Sequence, residues 1–324
     1  MMLPASFSMV VFCDYAAMRE LKKRINHYAP IKISGVTDVI NNYFCCNCTK
    51  QISTMNHIRT ILILILLLPF YKSDAQQVSE WNGKKCAVVL TYDDALNVHL
   101  DNVIPSLDSF NLKATFYLIG ESPVVDKRMS EWRKAAENGH ELGNHSLTHP
   151  CDGSMEGRSW VTPEKDLSRY SPERVINEIK ITSTLLHAID GKTERTFAFP
   201  CGDRKVDNIN FYDSLKNDFA AARGVQSGLQ HLNEIDLNDI RCFYIDGHSA
   251  EYMIDLVNKA MESHTLLVFM FHGVGGEHNI NVSLEAHRKL IHYLKQHENE
   301  IWVAPMVDVA RYIKETRALA CNFH

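Results

Sequence analysis

Two adjacent carboxylates, Asp93 and Asp94, follow an apolar run in the segment "CAVVLTYDDA" (86–95). Like charges side by side repel each other, so a cation bound by one of them and proton transfer by the other would explain the pair. A solvated turn would explain both acids more simply. Other residues of the chain must distinguish these interpretations.

Three histidines supply the donors that such a cation needs. His145 and His149 are four residues apart in "HSLTHP" (145–150), so both rings can face one point, and His272 ends the run "LLVFMFH" (266–272). Two imidazoles, one carboxylate and an open position are typical of a catalytic zinc site. Each signal alone is weak, because chance pairs arise among 16 histidines and a histidine on an apolar strand is usually a core residue. Their joint placement after separate apolar runs favours metal-assisted hydrolysis, with a carboxylate as base and an imidazolium as acid.

Strands and helices must position these residues. Along the chain, short apolar runs that predict strands alternate with amphipathic stripes that predict helices. Strands are predicted at 86–92, 113–120, 140–145, 195–200, 218–222, 240–245, 265–272 and 301–305. Helices are predicted at 100–110, 130–138, 172–190, 249–262, 283–297 and 306–317. This alternation indicates an α/β fold with a mostly parallel sheet and outer helices, either closed into a barrel or open. In both architectures, functional residues collect at the carboxyl ends of the strands. The polar segment 150–171 is predicted to be a long functional loop.

Four segments, "LTYDDA", "HSLTHP", "FAFPCG" and "LLVFMFHG", resemble in this order the motifs of the polysaccharide deacetylase family (NodB homology domain, carbohydrate esterase family 4). The resemblance covers 85–315. It implies a distorted (β/α) barrel with seven or eight mostly parallel strands, and metal-dependent removal of acetyl groups from a sugar polymer. By position, Asp93 resembles the catalytic base and His272 the catalytic acid. Asp94, His145 and His149 resemble the ligands of a divalent metal, for which Zn²⁺ is expected and Co²⁺ or Ni²⁺ are alternatives.

The resemblance also implies a substrate groove. Pro200 and Cys201 match the motif of its wall, where the Cys201 backbone N–H would stabilise an oxyanion. Tyr92, together with Phe199 and Trp160, is a candidate to line the groove; the alternative for each, which the residue type alone favours, is a packing role or an ordinary loop position.

Two positions depart from the family pattern. Ala198 stands where many members carry an arginine that tethers the base. Arg223, just past the run "DFAAA", is the candidate substitute, and Arg195 is the less favoured alternative because it begins its strand. The segment "FYIDGH" offers Asp246 as a partner for His272, but without the family's usual tryptophan.

The N-terminal region has the layout of a secretory signal. Residues 55–75 contain a short basic segment, an apolar run at 61–70 and small residues before Gln76. Ten apolar residues span only ~15 Å as a helix, which disfavours a stable membrane span; a buried or membrane-associated helix is the alternative. Residues 1–54 are then either a misassigned extension before a true start at Met55 or a genuine extension. Residues 76–324 form the catalytic domain of a secreted or periplasmic protein.

Composition limits the remaining function classes. The net charge of −5 gives no electrostatic case for nucleic acid, and no GxSxG nucleophile motif is present. Residues 76–324 hold five cysteines, an odd number, so at least one thiol stays free and no pairing is assigned. The expected partner is an acetylated polysaccharide such as a chitin-like polymer, peptidoglycan, poly-N-acetylglucosamine or acetylxylan. The alternatives are a non-catalytic carbohydrate-binding protein on this fold and a hydrolase of a small non-sugar amide. The sequence does not predict an oligomeric state.

Overall fold

A computed structural model describes residues 81–321, which form one curved, parallel, eight-stranded sheet with helices around it. The proposed signal segment 55–75 and the extension 1–54 lie outside the described residues. The strands of the main sheet are β1 (Cys86–Asp93), β2 (Thr115–Leu118), β3 (Glu141–Asn144), β4 (Phe197–Ala198), β7 (Ala222–Arg223), β8 (Phe243–Tyr244), β9 (Leu266–Phe271) and β12 (Ile301–Val303). Two small ribbons, β5 (Lys205–Val206) with β6 (Ile209–Asn210) and β10 (Gly273–Val274) with β11 (Asn281–Val282), lie outside it.

The order β7-β4-β3-β2-β1-β9-β8 brings the two edges of the sheet together. β12 pairs with the first half of β1, and β2 pairs with its second half. Ile240, in the segment that leads into β8, makes a parallel bridge with Arg223 of β7. The edges therefore meet, and the expected distorted (β/α) barrel is confirmed.

The helices are α1 (Ile104–Ser109), α2 (Pro123–Lys127), α3 (Met129–Glu137), α4 (Pro172–Asp190), α5 (Ala250–Ser263), α6 (Leu284–Gln296) and α7 (Met306–Cys321). A π-helical turn at His99–Val103 leads into α1. α4 begins and ends where its sequence signals predict: the Ser171 side chain accepts the N–H of Arg174, and Gly191 ends the helix in the left-handed conformation. Within the described residues, no helix is long and apolar enough to cross a membrane.

Three predicted strands are much shorter in the structure. The runs 195–200, 218–222 and 240–245 contribute only two residues each to regular ladders, as β4, β7 and β8. The apolar residues 219–221 precede β7 instead of forming part of it. An apolar run in the sequence predicts that a segment is buried, but burial does not by itself fix the length of a strand.

Side-chain alternation along β1 decides which residues can reach the site. Ala87 and Val89 pack with one buried cluster, which also includes Val268 of β9. Leu90 and Tyr92 point the other way, into a cluster that the outer helices cover. Because successive side chains alternate, Asp93 lies on the same face as Ala87 and Val89, at the carboxyl end of the strand.

Candidate active site

The ends of five strands meet at one cavity of about 980 Å³, whose lining includes Asp93, Asp94, His145, His149 and His272. Asp93 is the last residue of β1, and His145 directly follows β3. His272 directly follows β9, while β4 and β7 bring the "FPCG" turn and Arg223. The structure thus brings together the residues that the motifs singled out.

Asp94, His145 and His149 form a compact donor set in this cavity. The Asp94 Oδ1 atom lies 3.6 Å from His145 Nε2 and 3.6 Å from His149 Nε2. The three candidate ligand atoms all lie within 4.8 Å of one another. Asp94 Oδ1 is buried and has no hydrogen-bond partner within residues 81–321. A buried carboxylate oxygen without a partner is costly unless a cation accompanies it, so the site fits a divalent metal.

The two imidazoles carry their protons on the side away from this set. His145 Nδ1–H donates to the carbonyl oxygen of Ala198 at 2.9 Å, which leaves the Nε2 lone pair facing Asp94. His149 Nδ1 lies 3.6 Å from Cys151 Sγ. Burial lowers the pKa of His145 to about 3 and that of His149 to about 4. Both rings are therefore neutral at pH 7, the form that ligates a metal.

Asp93 is fully buried and paired with Arg223. The Arg223 Nη2 group donates to Asp93 Oδ2, which also lies 3.9 Å from His145 Nε2. Burial alone would raise the pKa of Asp93, but the Arg223 guanidinium and the imidazoles of His145 and His272 outweigh it, so this pKa lies below its usual range. Asp93 is accordingly ionised at neutral pH.

Arg223 comes from the strand next to the one that carries Ala198. In the parallel register of β4 and β7, Ala198 pairs directly with Arg223. Both residues are fully buried, and the small Ala198 side chain leaves room for a guanidinium from the neighbouring strand. Arg195 does not reach the site, because its guanidinium binds the carbonyl of Leu142 and the carboxylate of Asp190.

Among residues 81–321, no carboxylate lies within hydrogen-bond distance of the His272 ring. Its Nε2 atom lies 4.0 Å from Asp94 Oδ2, and its Nδ1 atom is buried without a partner in the described part of the chain. The sequence-based suggestion that Asp246 is the partner of His272 is wrong. The Asp246 carboxylate instead accepts the backbone N–H of Asn281. Burial lowers the pKa of His272, and the nearby Asp93 and Asp94 oppose this.

Several residues around the cavity adopt the left-handed backbone conformation, which is strained for a residue other than glycine. Their φ angles are 79° at Asp94, 62° at Ser146, 55° at His149 and 54° at Cys201. Such strain tends to concentrate at functional sites, where surrounding contacts hold it in place. Here the Ser146 side chain accepts the N–H of His149.

The wall of the cavity includes Phe199, Cys201 and the strongly exposed Trp160, whose exposed fraction is 61%. A disulfide joins Cys151 to Cys201. These two cysteines lie close to His149 and could in their reduced form bind a metal together with it, but as a disulfide they offer no thiolates. Pro200 is buried beneath this wall.

Tyr92 does not line the groove, so this expectation is corrected. It is fully buried, its hydroxyl bonds His287 Nε2 at 2.7 Å, and its ring stacks between Phe116 and Phe271. The alternation of β1 explains the error, since the residue before Asp93 must point to the opposite face.

His278 is a site residue that the motifs did not reveal. Its Nε2 atom lies 3.7 Å from Asp94 Oδ2, and its ring stacks on His272 with centroids 4.9 Å apart. The only sequence signal is the glycine-rich turn "GVGGEHN" (273–279), which returns the chain to the end of β9.

Comparison with known proteins agrees with this geometry. Residues 81–220 match the model of the polysaccharide deacetylase family. Over this segment the chain is similar to that family. The matched segment contains Asp93, Asp94, His145, His149 and the "FPCG" turn.

Two peptidoglycan-N-acetylglucosamine deacetylases of Bacillus cereus are among the similar curated proteins. One is 27% identical over 120 residues, which cover 37% of this chain and 38% of the relative. The other is 27% identical over 163 residues, which cover 47% of this chain and 58% of the relative. The chain therefore spans only part of the length of these relatives.

The solved structure of Puue allantoinase is similar in fold, with a TM-score of 0.51 at 12% identity. The match covers 72% of this chain and 92% of that chain. At this level of identity the likeness supports the barrel fold of the deacetylase family alone.

Proposed function

We propose that this protein is a secreted, divalent-metal-dependent hydrolase that removes acetyl groups from a polysaccharide. One observation carries the proposal: Asp94, His145 and His149 offer three converging donor atoms, and both Asp93 and His272 lie within about 4 Å of this set. A candidate base, a candidate acid and a metal site thus open into one cavity. When bound to the three residues, a divalent cation, for which Zn²⁺ is the first choice, would polarise the acetyl carbonyl and lower the pKa of water.

The protein's own groups then divide the proton transfers. Asp93, kept ionised by Arg223, takes a proton from the water that attacks the acetyl carbon. The Cys201 N–H donates to the acetyl oxygen as that atom gains negative charge. Protonated His272 delivers its proton to the leaving nitrogen or oxygen, the bond to the acetyl carbon breaks, and acetate is released. Because burial lowers the pKa of His272, its protonated form is a stronger acid.

N-acetylated sugar polymers are the first substrates to test. The relatives named above are peptidoglycan-N-acetylglucosamine deacetylases, and another match, from Pseudobutyrivibrio xylanivorans, is a bifunctional xylanase/deacetylase with 26% identity over 113 residues. The exposed Trp160 ring beside the cavity offers a flat apolar surface suited to the face of a sugar ring.

The Cys151–Cys201 disulfide supports the proposed export from the cytoplasm, because such bonds persist mainly in oxidising compartments. N-terminal sequencing of the secreted protein should find a start near Gln76. A product that keeps residues 55–75 would contradict cleavage at this point.

Acetate release from defined polymers tests the activity. The purified protein should release acetate from at least one of peptidoglycan, chitin oligosaccharides, poly-N-acetylglucosamine and acetylated xylan. A chelator should abolish the release, and Zn²⁺, Co²⁺ or Ni²⁺ should restore it. Stoichiometric metal binding without acetate from any polymer would instead favour a carbohydrate-binding protein on this fold.

A further inference from the structure

The Asp94 carboxylate is shared by four imidazoles, two on each oxygen. Oδ1 faces His145 and His149, each at 3.6 Å. Oδ2 faces His272 at 4.0 Å and His278 at 3.7 Å. The mechanism above uses the first three histidines and gives His278 no task.

The hydrogen bonds of His278 fix its tautomer. Two contacts with Ile280 involve the Nδ1 atom of His278: the backbone N–H of Ile280 donates to it at 3.0 Å, and the carbonyl oxygen of Ile280 lies 3.3 Å away. The shorter contact assigns Nδ1 as the acceptor and so places the proton of the neutral ring on Nε2. This is the reverse of His145, whose Nδ1 donates and whose Nε2 lone pair faces Asp94. His278 therefore presents an N–H donor to the carboxylate, and not a lone pair to a cation.

The turn around His278 holds this ring in place. The Asn281 side chain accepts the N–H of Gly276 at 2.9 Å, and the Gly273 N–H donates to Ile280 at 3.0 Å. A Cβ at Gly273 would overlap the carbonyl oxygen of Gly276, so the turn closes this tightly only with glycine at 273. The ring also lies nearly parallel to His272, with an interplanar angle of 19°.

We propose that His278 is a positioning residue of the metal site: its Nε2–H binds Asp94 Oδ2 and holds the carboxylate with Oδ1 turned toward His145 and His149. The present separation of 3.7 Å exceeds a direct hydrogen bond, so the proposal requires a small shift of the His278 side chain, which is 30% exposed, toward Asp94. Metal-binding groups depend on such outer partners, whose loss commonly weakens metal affinity about 10–100-fold. The inference rests on the metal site of the proposed function.

Metal affinity tests the inference without reference to turnover. Zn²⁺ is titrated into the metal-stripped full-length protein in competition with a chromophoric chelator. His278→Ala should weaken the Kd about tenfold or more. His278→Gln, whose amide nitrogen can replace the Nε2–H, should recover most of the loss. Asn279→Ala, in the same turn and also at the cavity, is the matched control and should bind as the wild type does.

The other outcomes separate the two proposals. A wild-type protein that binds no metal would refute the metal site itself. Metal bound by the wild type and by His278→Ala with equal affinity would overturn only the role of His278. An equal loss in His278→Gln and His278→Ala, with a changed Co²⁺ absorption spectrum, would make His278 a direct ligand and overturn the donor role. A loss shared by Asn279→Ala would assign the effect to the turn and also overturn it.

Discussion

At the scale of single residues, the adjacent acids of β1 have different surroundings. Asp93 is paired with a buried guanidinium, whereas Asp94 Oδ1 has no partner among the described residues and faces two neutral imidazoles. Burial raises the pKa of Asp94, so an acidic pair in this position is stable only if both charges are neutralised, by a cation or by a proton. Arg223 compensates Asp93, and a bound metal would compensate Asp94.

Asp93→Asn separates the proposed base from the proposed ligands. The amide keeps the shape of the side chain but cannot take a proton, so kcat should fall about 10²–10⁴-fold. Metal content, measured by atomic absorption, should stay at the wild-type level, because Asp94, His145 and His149 remain. His149→Ala is the companion variant and should lose both metal and turnover. Full activity in Asp93→Asn would reject Asp93 as the base.

Moving the arginine from position 223 on β7 to position 198 on β4 tests the ion pair between Arg223 and Asp93. Arg223→Ala leaves the buried Asp93 without its cation, which should destabilise the fold by about 3–5 kcal/mol in urea denaturation. It should also raise the pKa of Asp93, so a smaller fraction is ionised at a given pH and the acidic limb of kcat/KM moves to higher pH. Because Ala198 and Arg223 pair in register, adding Ala198→Arg should recover part of both losses. No recovery would show that position 198 cannot direct a guanidinium to Asp93.

At the scale of elements, the sequence predicted where strands end better than how long they are. The motif residues follow apolar runs directly, so their meeting at one sheet edge could be predicted from parallel topology alone. The ladders of β4 and β7 have only two residues each, and no local pattern indicates this. The place of His278 depends on hydrogen bonds within a turn, and the pairing of Cys151 with Cys201 depends on tertiary structure. Neither leaves a periodic signal in the sequence.

The disulfide joins the loop after His149 to the turn that carries the proposed oxyanion donor. It links residues 50 positions apart, and the ion pair between Arg158 and Asp203 connects the same two segments. Loss of the disulfide should therefore affect the site as well as stability.

Replacing both disulfide cysteines by serine should lower the free energy of unfolding by about 2–4 kcal/mol. It should also reduce kcat and weaken the metal Kd, because Cys201 and His149 lose a shared anchor. Cys86→Ala is the control: Cys86 is a free, buried thiol at the start of β1, so its loss should reduce stability alone. Wild-type kcat and Kd in the double variant would show that the remaining contacts hold the site by themselves.

At the scale of the whole molecule, one residue, Arg223, contributes both to closure of the barrel and to assembly of the site. Arg223 makes the bridge to Ile240 through its backbone, and its side chain binds Asp93 at the end of β1. Its Nη1 group also donates to the carbonyl oxygen of Gly224 at 3.0 Å and contacts the sulfur atoms of Cys242 and Met270. Stability and the proposed activity should therefore be coupled through this residue.

Buried histidines outside the site should make the fold sensitive to acid. Burial lowers the pKa of His140 to about 4 and that of His287 to about 3, compared with 6.5 for an unperturbed ring. Between these values and pH 6.5 the unfolded chain binds a proton that the folded protein excludes, so the free energy of unfolding falls as the pH is lowered. Each ring should contribute about 2 kcal/mol of this loss at pH 5.

His140→Asn isolates one of these contributions. The asparagine oxygen can replace Nδ1 as acceptor of the Ala114 N–H, and Asp108 keeps its ion pair with Lys113. Urea denaturation at pH 7 and pH 5, with chelator present so that metal release does not contribute, should show that the variant loses about 2 kcal/mol less than the wild type. Replacing the exposed His231 by asparagine should leave the wild-type loss unchanged. If His140→Asn and the wild type lose the same stability, His140 takes up its proton in the folded state and the acid sensitivity has another source.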